Sequence, residues 1–362
     1  MDRPAPGPVS ARHWHVVEDG RIECDVCPRR CRLADGQRGL CFVRAREGDA
    51  LMLTTWGRSS GYCIDPIEKK PLNHFLPGTP VLSFGTAGCN LTCRFCQNWD
   101  ISKSREIDTL SDAALPAQIA DAAVATGCRS VAFTYNDPTI FLEYAVDVAH
   151  ACRERDVRTV AITAGWIEPE ARADFFAPVD AANVDLKAFD DGFYQKLCGA
   201  SLAPVLDTLV HLREETNVWL EITTLLIPGQ NDSRNELEAA AKWVATHLGP
   251  DVPWHFTAFH PDYRMRDVRG TPVETLRRAR AIAHDAGLRH VYTGNVRDVD
   301  GATTRCAGCG EKLIVRDGYE LTEWRLDAAG GCARCGETCA GVFDARPGTW
   351  GARRQPVRLA AP

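Results

Sequence analysis

Cys89, Cys93 and Cys96 form C-x3-C-x2-C directly after the apolar run Val81–Phe84 and the turn Gly85-Thr86-Ala87-Gly88. Cysteines this crowded in one loop do not suit separate core positions, so the loop is expected to close around something its thiols hold in common. A cube of four irons and four sulfides that only carries electrons is normally tied by four thiolates, one per iron. Three thiolates leave one iron without a protein ligand, and an open position on a metal is where a substrate or cofactor binds, as at catalytic zinc sites. A zinc knuckle or three buried reduced thiols would use the same residues. The Gly-x-x-Gly turn after an apolar strand favours the cluster. A multi-metal electron-transfer protein is the rival of another class, and it would need a fourth thiolate that this loop lacks.

From about Pro80 to Val296 strand and helix patterns alternate. Apolar, β-branched runs occur at Val81–Phe84, Ser130–Tyr135, Thr159–Thr163, Ala182–Ala188, Val218–Ile227, Trp254–Phe259 and His290–Thr293. Helical patterns lie between them at Pro116–Thr126, Thr139–Arg155, Glu168–Phe176, Ala203–Glu215, Arg234–His247 and Pro272–Ala286. Alternation of this kind predicts an α/β fold with a parallel sheet. No Gly-rich dinucleotide signature follows the first strand, so barrel-like closure is favoured. A partial, TIM-like (β/α)6 barrel of about six strands fits the count better than eight, with its chemistry at the C-terminal strand ends.

Both flanks are cysteine-rich. Residues 1–76 form an irregular extension with Cys24, Cys27, Cys31 and Cys41, a four-thiolate set for zinc or a second iron–sulfur cluster. Residues 77–300 form the core domain. Residues 301–345 form a small module in which Cys306-x2-Cys309-Gly310 and Cys332-x2-Cys335-Gly336 predict a zinc ribbon, or a rubredoxin-like single-iron site. Residues 346–362 read as a tail. Cys63, Cys128, Cys152 and Cys198 are expected to be ordinary core or surface thiols.

Composition narrows the setting. The net charge of −6 comes with no long basic block, so nucleic acid is not an obligatory partner. No apolar leader and no run of about 18 apolar residues is present, which points away from the membrane. Sixteen cysteines without an export signal are expected in a reducing cytoplasm, binding metal in preference to forming disulfides.

The cysteine loop, with the aromatic Phe95 before its third cysteine, resembles the radical S-adenosylmethionine (SAM) superfamily. The resemblance implies a [4Fe–4S] cluster on Cys89, Cys93 and Cys96 whose free iron chelates SAM. The reduced cluster cleaves SAM to a 5′-deoxyadenosyl radical, which abstracts hydrogen from substrate. Phe95 would lie near the adenine. Many members have a Gly-Gly-Glu-Pro-like turn after the second strand that holds the SAM amino group. Here the turn is Thr134-Tyr135-Asn136-Asp137-Pro138, which keeps the acid-Pro ending but replaces both glycines by residues without their φ freedom. Asn136 and Asp137 are candidate SAM contacts, though Asp137 also suits a helix cap.

Asp185 and Lys187 share one face at the end of the fourth strand. Opposite charges there suit a zwitterion such as SAM, and glycyl-radical-enzyme activases carry Asp-x-Lys at the matching place. His260 is a further candidate contact to SAM, and Thr163 and Asn295 are weaker ones. Glu221 is expected to face either the pocket or a buried partner.

Taken whole, the chain resembles the pyruvate formate-lyase-activating-enzyme-related branch, and most closely the radical SAM member of the AmmeMemoRadiSam system. Asp65-Pro66-Ile67-Glu68-Lys69-Lys70-Pro71, Cys96-Gln97-Asn98-Trp99, Thr134–Pro138 and Leu226-Ile227-Pro228-Gly229 carry that likeness. It implies a protein or protein-bound substrate, a flavodoxin- or ferredoxin-type reductant, and Memo-like and AMMECR-like partner proteins. Activation of a glycyl-radical enzyme is the alternative activity.

Overall fold

The structure is a computed structural model that describes residues 6–105 and 112–359. Its centre is one sheet. The antiparallel strand β1 (Arg58–Pro66) pairs with β2 (Pro80–Gly85), and parallel strands follow in chain order: β3 (Ser130–Phe133), β4 (Arg158–Thr163), β5 (Ala181–Asp185), β6 (Trp219–Leu226), β7 (Trp254–Ala258) and β8 (Val291–Gly294). Seven strands, β2 to β8, are therefore parallel, against the six expected. Six crossover helices need a strand on both sides, so six βα units end in a seventh strand. The crossovers are α1 (Pro116–Ala125), α2 (Leu142–Arg153), α3 (Pro169–Phe176), α4 (Ala203–Glu214), α5 (Arg234–His247) and α6 (Val273–Asp285).

Local chemistry explains these boundaries. Pro116 and Pro169 open α1 and α3 at the first turn, where a missing N–H costs nothing. The Ser233 hydroxyl accepts from the Glu236 amide to cap α5. Every residue of β3 is buried, as are four of the five in β5, because helices cover one face and side chains fill the other. Phe84, Phe133, Phe141 and Tyr144 pack together on the first strands at centroid distances of 5.6–6.5 Å.

The flanks are tied to this core. Arg44 of the N-terminal segment is buried and pairs with Glu143 of α2 at 2.7 Å, and Arg44 Nε donates to the Ile140 carbonyl at 3.0 Å. The C-terminal module is a three-stranded antiparallel sheet, β9 (Thr304–Arg305), β10 (Lys312–Asp317) and β11 (Glu320–Trp324). It is not free-standing: Arg316 donates to the Asn73 carbonyl at 2.7 Å, the Val342 amide donates to the His74 carbonyl at 2.7 Å, and the Val342 carbonyl accepts from the Leu76 amide at 2.8 Å. The tail also joins the core, as β12 (Gln355–Pro356) extends the main sheet along β1. No helix among the described residues is long and apolar enough to cross a membrane.

Candidate active site

The cysteine loop leaves β2 at Gly85 and is braced from three sides. Asn136 Nδ2 donates to the Gly88 carbonyl at 2.8 Å, while its Oδ1 accepts from the Thr86 amide at 3.3 Å. The Thr92 and Arg94 amides donate to the carbonyls of Cys198 and Leu197, and Lys103 Nζ donates to the Leu91 carbonyl at 2.8 Å. Gly88 sits at φ +89°, where a Cβ would run into the Cys41 carbonyl oxygen, so only glycine fits.

So held, Cys89, Cys93 and Cys96 all face one cavity, whose other walls include the C-terminal ends of β3 through β8. Its volume is about 630 Å³, within the range of sites that hold a cofactor-sized ligand. Burial pushes the Cys89 thiol up to about 12. The donor set itself is what fits an iron–sulfur cluster: three thiols line one cavity, and no other cysteine is among its lining residues. Phe95 is buried at the cavity wall with its ring 5.7 Å from that of Phe193.

Lys187 Nζ lies 2.8 Å from Asp185 Oδ2, and both line the cavity. Burial opposes the ammonium charge, but Asp185, with Cys93 and Cys198, outweighs it and holds Lys187 above its usual range. His260 Nδ1 lies 2.8 Å from Gln97 Nε2, which joins the β7 loop to the cysteine loop, and the stacked pair Trp99–Tyr263 adds to that seam.

Asp137 lines the cavity, but its carboxylate is already engaged. It accepts from the Thr139 amide at 3.1 Å, the Thr163 hydroxyl at 3.1 Å and the Ala164 amide at 2.9 Å, capping the turn before α2 and tying β3 to β4. Burial raises its pKa. Tyr135 corrects an expectation: it adopts φ +71°, the conformation thought to need glycine. Its ring packs against Gly61 and lies 6.0 Å from Lys70 Nζ, contacts that hold the residue there. Glu221 faces a buried partner and not the cavity. It accepts from the Asn73 and His74 amides and from Trp219 and His255, the last at 2.6 Å. Asn295 lines the cavity and donates to the Ala258 carbonyl.

Several cavity residues were not foreseen. Asp65, fully buried, pairs with Lys70 at 2.7 Å and Lys69 at 3.0 Å, and all three line one wall of the cavity. The signal was an acid followed at short range by two lysines, read only as part of a likeness. Tyr319 of the C-terminal module and Arg354 of the tail complete that wall, from segments expected to stand apart. Cys198, expected to be an ordinary thiol, is buried beside Cys93. Cys63, Cys128 and Cys152 are buried.

In the C-terminal module Cys306, Cys309, Cys332 and Cys335 converge. Their sulfurs lie within 4.8 Å of one another, with Cys306–Cys335 at 3.5 Å and Cys309–Cys332 at 3.8 Å. Zinc–sulfur bonds of about 2.3 Å in a tetrahedron set sulfurs roughly 3.8 Å apart, so the set fits one metal ion. In the N-terminal segment Cys24, Cys27, Cys31 and Cys41 line a single narrow cavity beside Asn90.

Residues 84–244 match the Radical SAM superfamily. An uncharacterized protein of Methanocaldococcus jannaschii is 39% identical over 328 residues, covering 90% of this chain and 97% of its own length. The pyruvate formate-lyase-activating enzyme of Clostridium pasteurianum is 20% identical over 200 residues, 52% of this chain and 83% of its own. A crystal structure of a radical SAM methyltransferase from Sphaerobacter thermophilus aligns at 16% identity and a TM-score of 0.49, over 84% of this chain and 81% of that one. With three thiols facing one cavity at the strand ends of a parallel sheet, the chain belongs to the Radical SAM superfamily, a superfamily of [4Fe–4S]- and SAM-dependent enzymes.

Proposed function

We propose that this enzyme uses SAM to abstract hydrogen from a protein or protein-bound substrate, as the radical SAM member of an AmmeMemoRadiSam system. The observation that carries the reading is the meeting of Cys89, Cys93 and Cys96 with the Asp185–Lys187 pair in one cavity. A cluster held by the three cysteines would supply reductive cleavage of SAM to a 5′-deoxyadenosyl radical. Lys187 and Asp185 present one charge of each sign, which suits the carboxylate and amine of a zwitterion. Phe95 offers an apolar face for a base, and His260 lies at the rim. Asn136 and Asp137 act by holding the loops in place, and the backbone at Tyr135 and Asn136 remains to meet an amino group.

The supporting parts follow the same reading. Residues 77–300 form the catalytic domain, 1–76 and 301–345 are metal-binding flanks, and 346–362 is the tail. Cys306, Cys309, Cys332 and Cys335 hold zinc or a single iron. A flavodoxin- or ferredoxin-type protein is the reductant, and Memo-like and AMMECR-like proteins are partners. Activation of a glycyl-radical enzyme is the second reading, favoured by the likeness to the clostridial activating enzyme.

Anaerobically reconstituted protein is expected to change its cluster spectrum on adding SAM, and to yield 5′-deoxyadenosine once dithionite is added. Absence of both would sink the enzyme reading. Electron paramagnetic resonance on candidate partners after turnover separates the two activities, because a stable glycyl signal on a partner would mark an activase.

A further inference from the structure

We propose that Cys24, Cys27, Cys31 and Cys41 hold a second, fully ligated four-iron cluster that passes an electron to the cluster at Cys89, Cys93 and Cys96. The metal assignment stands on the placement of the sulfurs and on what surrounds them, while the relay role rests on the function proposed above.

Two spacing classes occur in this chain. The C-terminal four sulfurs close to within 4.8 Å of one another, as a single tetrahedral ion requires. Among the described residues, no three of the sulfurs of Cys89, Cys93 and Cys96 do so, although they face one cavity. A cube of irons holds each thiolate outside a different corner, so its ligands stand farther apart than those of one ion. Cys24, Cys27, Cys31 and Cys41 fall in this second class: all four line one cavity, and no three of their sulfurs come within 4.8 Å.

The surroundings suit an anionic cluster. The amides of Val26, Arg29, Val43 and Arg44 point at the sulfurs of Cys24, Cys27 and Cys41. Arg29 lines the cavity, no carboxylate among the described residues forms an ion pair with it, and its buried Nε has no hydrogen-bond partner. Val26, Leu33, Leu40 and Ile140 add apolar lining, and an apolar surround is among the means by which proteins tune cluster potentials.

Position gives the role. Asn90, next in sequence to Cys89, is part of this cavity's wall, and the Cys41 carbonyl abuts Gly88 of the same loop. The two cysteine sets are thus separated by the thickness of one loop. On its outer side Cys31 reaches an open surface depression that also carries Arg30, Arg32 and Arg38. One electron from a flavodoxin- or ferredoxin-class protein docked there reduces the N-terminal cluster from the 2+ to the 1+ core. The same electron then moves to the cluster at Cys89, returning the first to 2+.

The test uses the full chain, reconstituted with iron and sulfide. Wild type is expected to hold about eight irons, and the Cys89→Ala/Cys93→Ala/Cys96→Ala variant about four, with a reduced-cluster resonance that SAM does not alter. A triple variant without iron, its N-terminal thiols carrying zinc, would overturn the assignment. Should that variant fail to fold, the iron count of wild type decides, since about four irons exclude a second cube. For the relay, Cys31→Ser that keeps its SAM-responsive cluster should be reduced by photoreduced flavodoxin roughly tenfold more slowly or worse. A rate within about twofold of wild type would overturn the relay. If Cys31→Ser does not fold, fully reduced wild type must show spin–spin broadening that is missing from the triple variant, and its absence has the same force. Eight irons with no deoxyadenosine would sink the proposed function and leave this cluster standing.

Discussion

Lys187 reaches back to Asp185 two residues earlier, Nζ to Oδ2 at 2.8 Å, at the mouth of a strand that ends beside Cys93 and Cys198. An internal pair of this kind keeps both charges in place until a ligand with both signs exchanges partners with it. Asp185→Asn is therefore expected to retain the cluster's iron and the melting temperature while SAM cleavage falls by about 10–100-fold. A variant that melts early, with cleavage per folded molecule unchanged, would make the pair a structural one.

The contact between Gly88 and Cys41 gives a second prediction. Gly88 and Gly127 both have positive φ, but a Cβ at Gly127 meets open space whereas one at Gly88 meets a carbonyl oxygen. Gly127→Ala should cost about 1–2 kcal/mol, the left-handed strain alone. Gly88→Ala should cost clearly more and should also displace the cysteine loop, lowering iron content. Equal losses of stability in a denaturant titration of the two variants would refute the close approach.

Much of this architecture could be read before any coordinates. The helices at Arg234–His247 and Ala203–Glu214 match their patterns within a residue, because caps and prolines mark their ends. The three-cysteine loop was legible because its chemistry is local. Asp65, Tyr319 and Arg354 were not, since they meet only through the docking of the C-terminal module and the pairing of the tail with β1, contacts between segments about 250 residues or more apart. Tyr135 shows the converse: a rule about φ, sound for an isolated turn, gives way where packing against Gly61 holds a bulky residue in the left-handed region.

The docking of the module changes how its metal should be tested. Truncation after Gly301 would remove Tyr319 and Arg354 from the cavity wall and strip Arg316 from Asn73, so it would damage the core as well. Cys309 and Cys335 are exposed, and replacing both leaves those contacts intact. Cys309→Ser/Cys335→Ser is expected to lose one zinc or iron per chain, with the spectrum of the cluster at Cys89 unchanged. If elemental analysis finds the same metal content as in wild type, the four thiols are not a site.

Glu68 gives the pH dependence. It is buried between the Gly78 amide, 2.7 Å away, and Arg316, 4.0 Å away, and burial pushes its carboxyl up to about 7. The folded pKa is thus raised above the unfolded value of about 4.3. Below the unfolded value both states are protonated and the group is neutral to stability. Between there and about 7 the unfolded chain ionises while the folded one holds its proton, so wild type loses stability as pH rises. Above about 7 the folded carboxyl ionises too and the loss levels off. Glu68→Gln keeps the acceptor for Gly78 but cannot titrate. Its stability relative to wild type should rise between pH 5 and 7 and then plateau, by on the order of 2 kcal/mol. Denaturant midpoints for both proteins across that range measure the difference. A flat difference, or one that falls with pH, would mean that Arg316 keeps Glu68 ionised throughout.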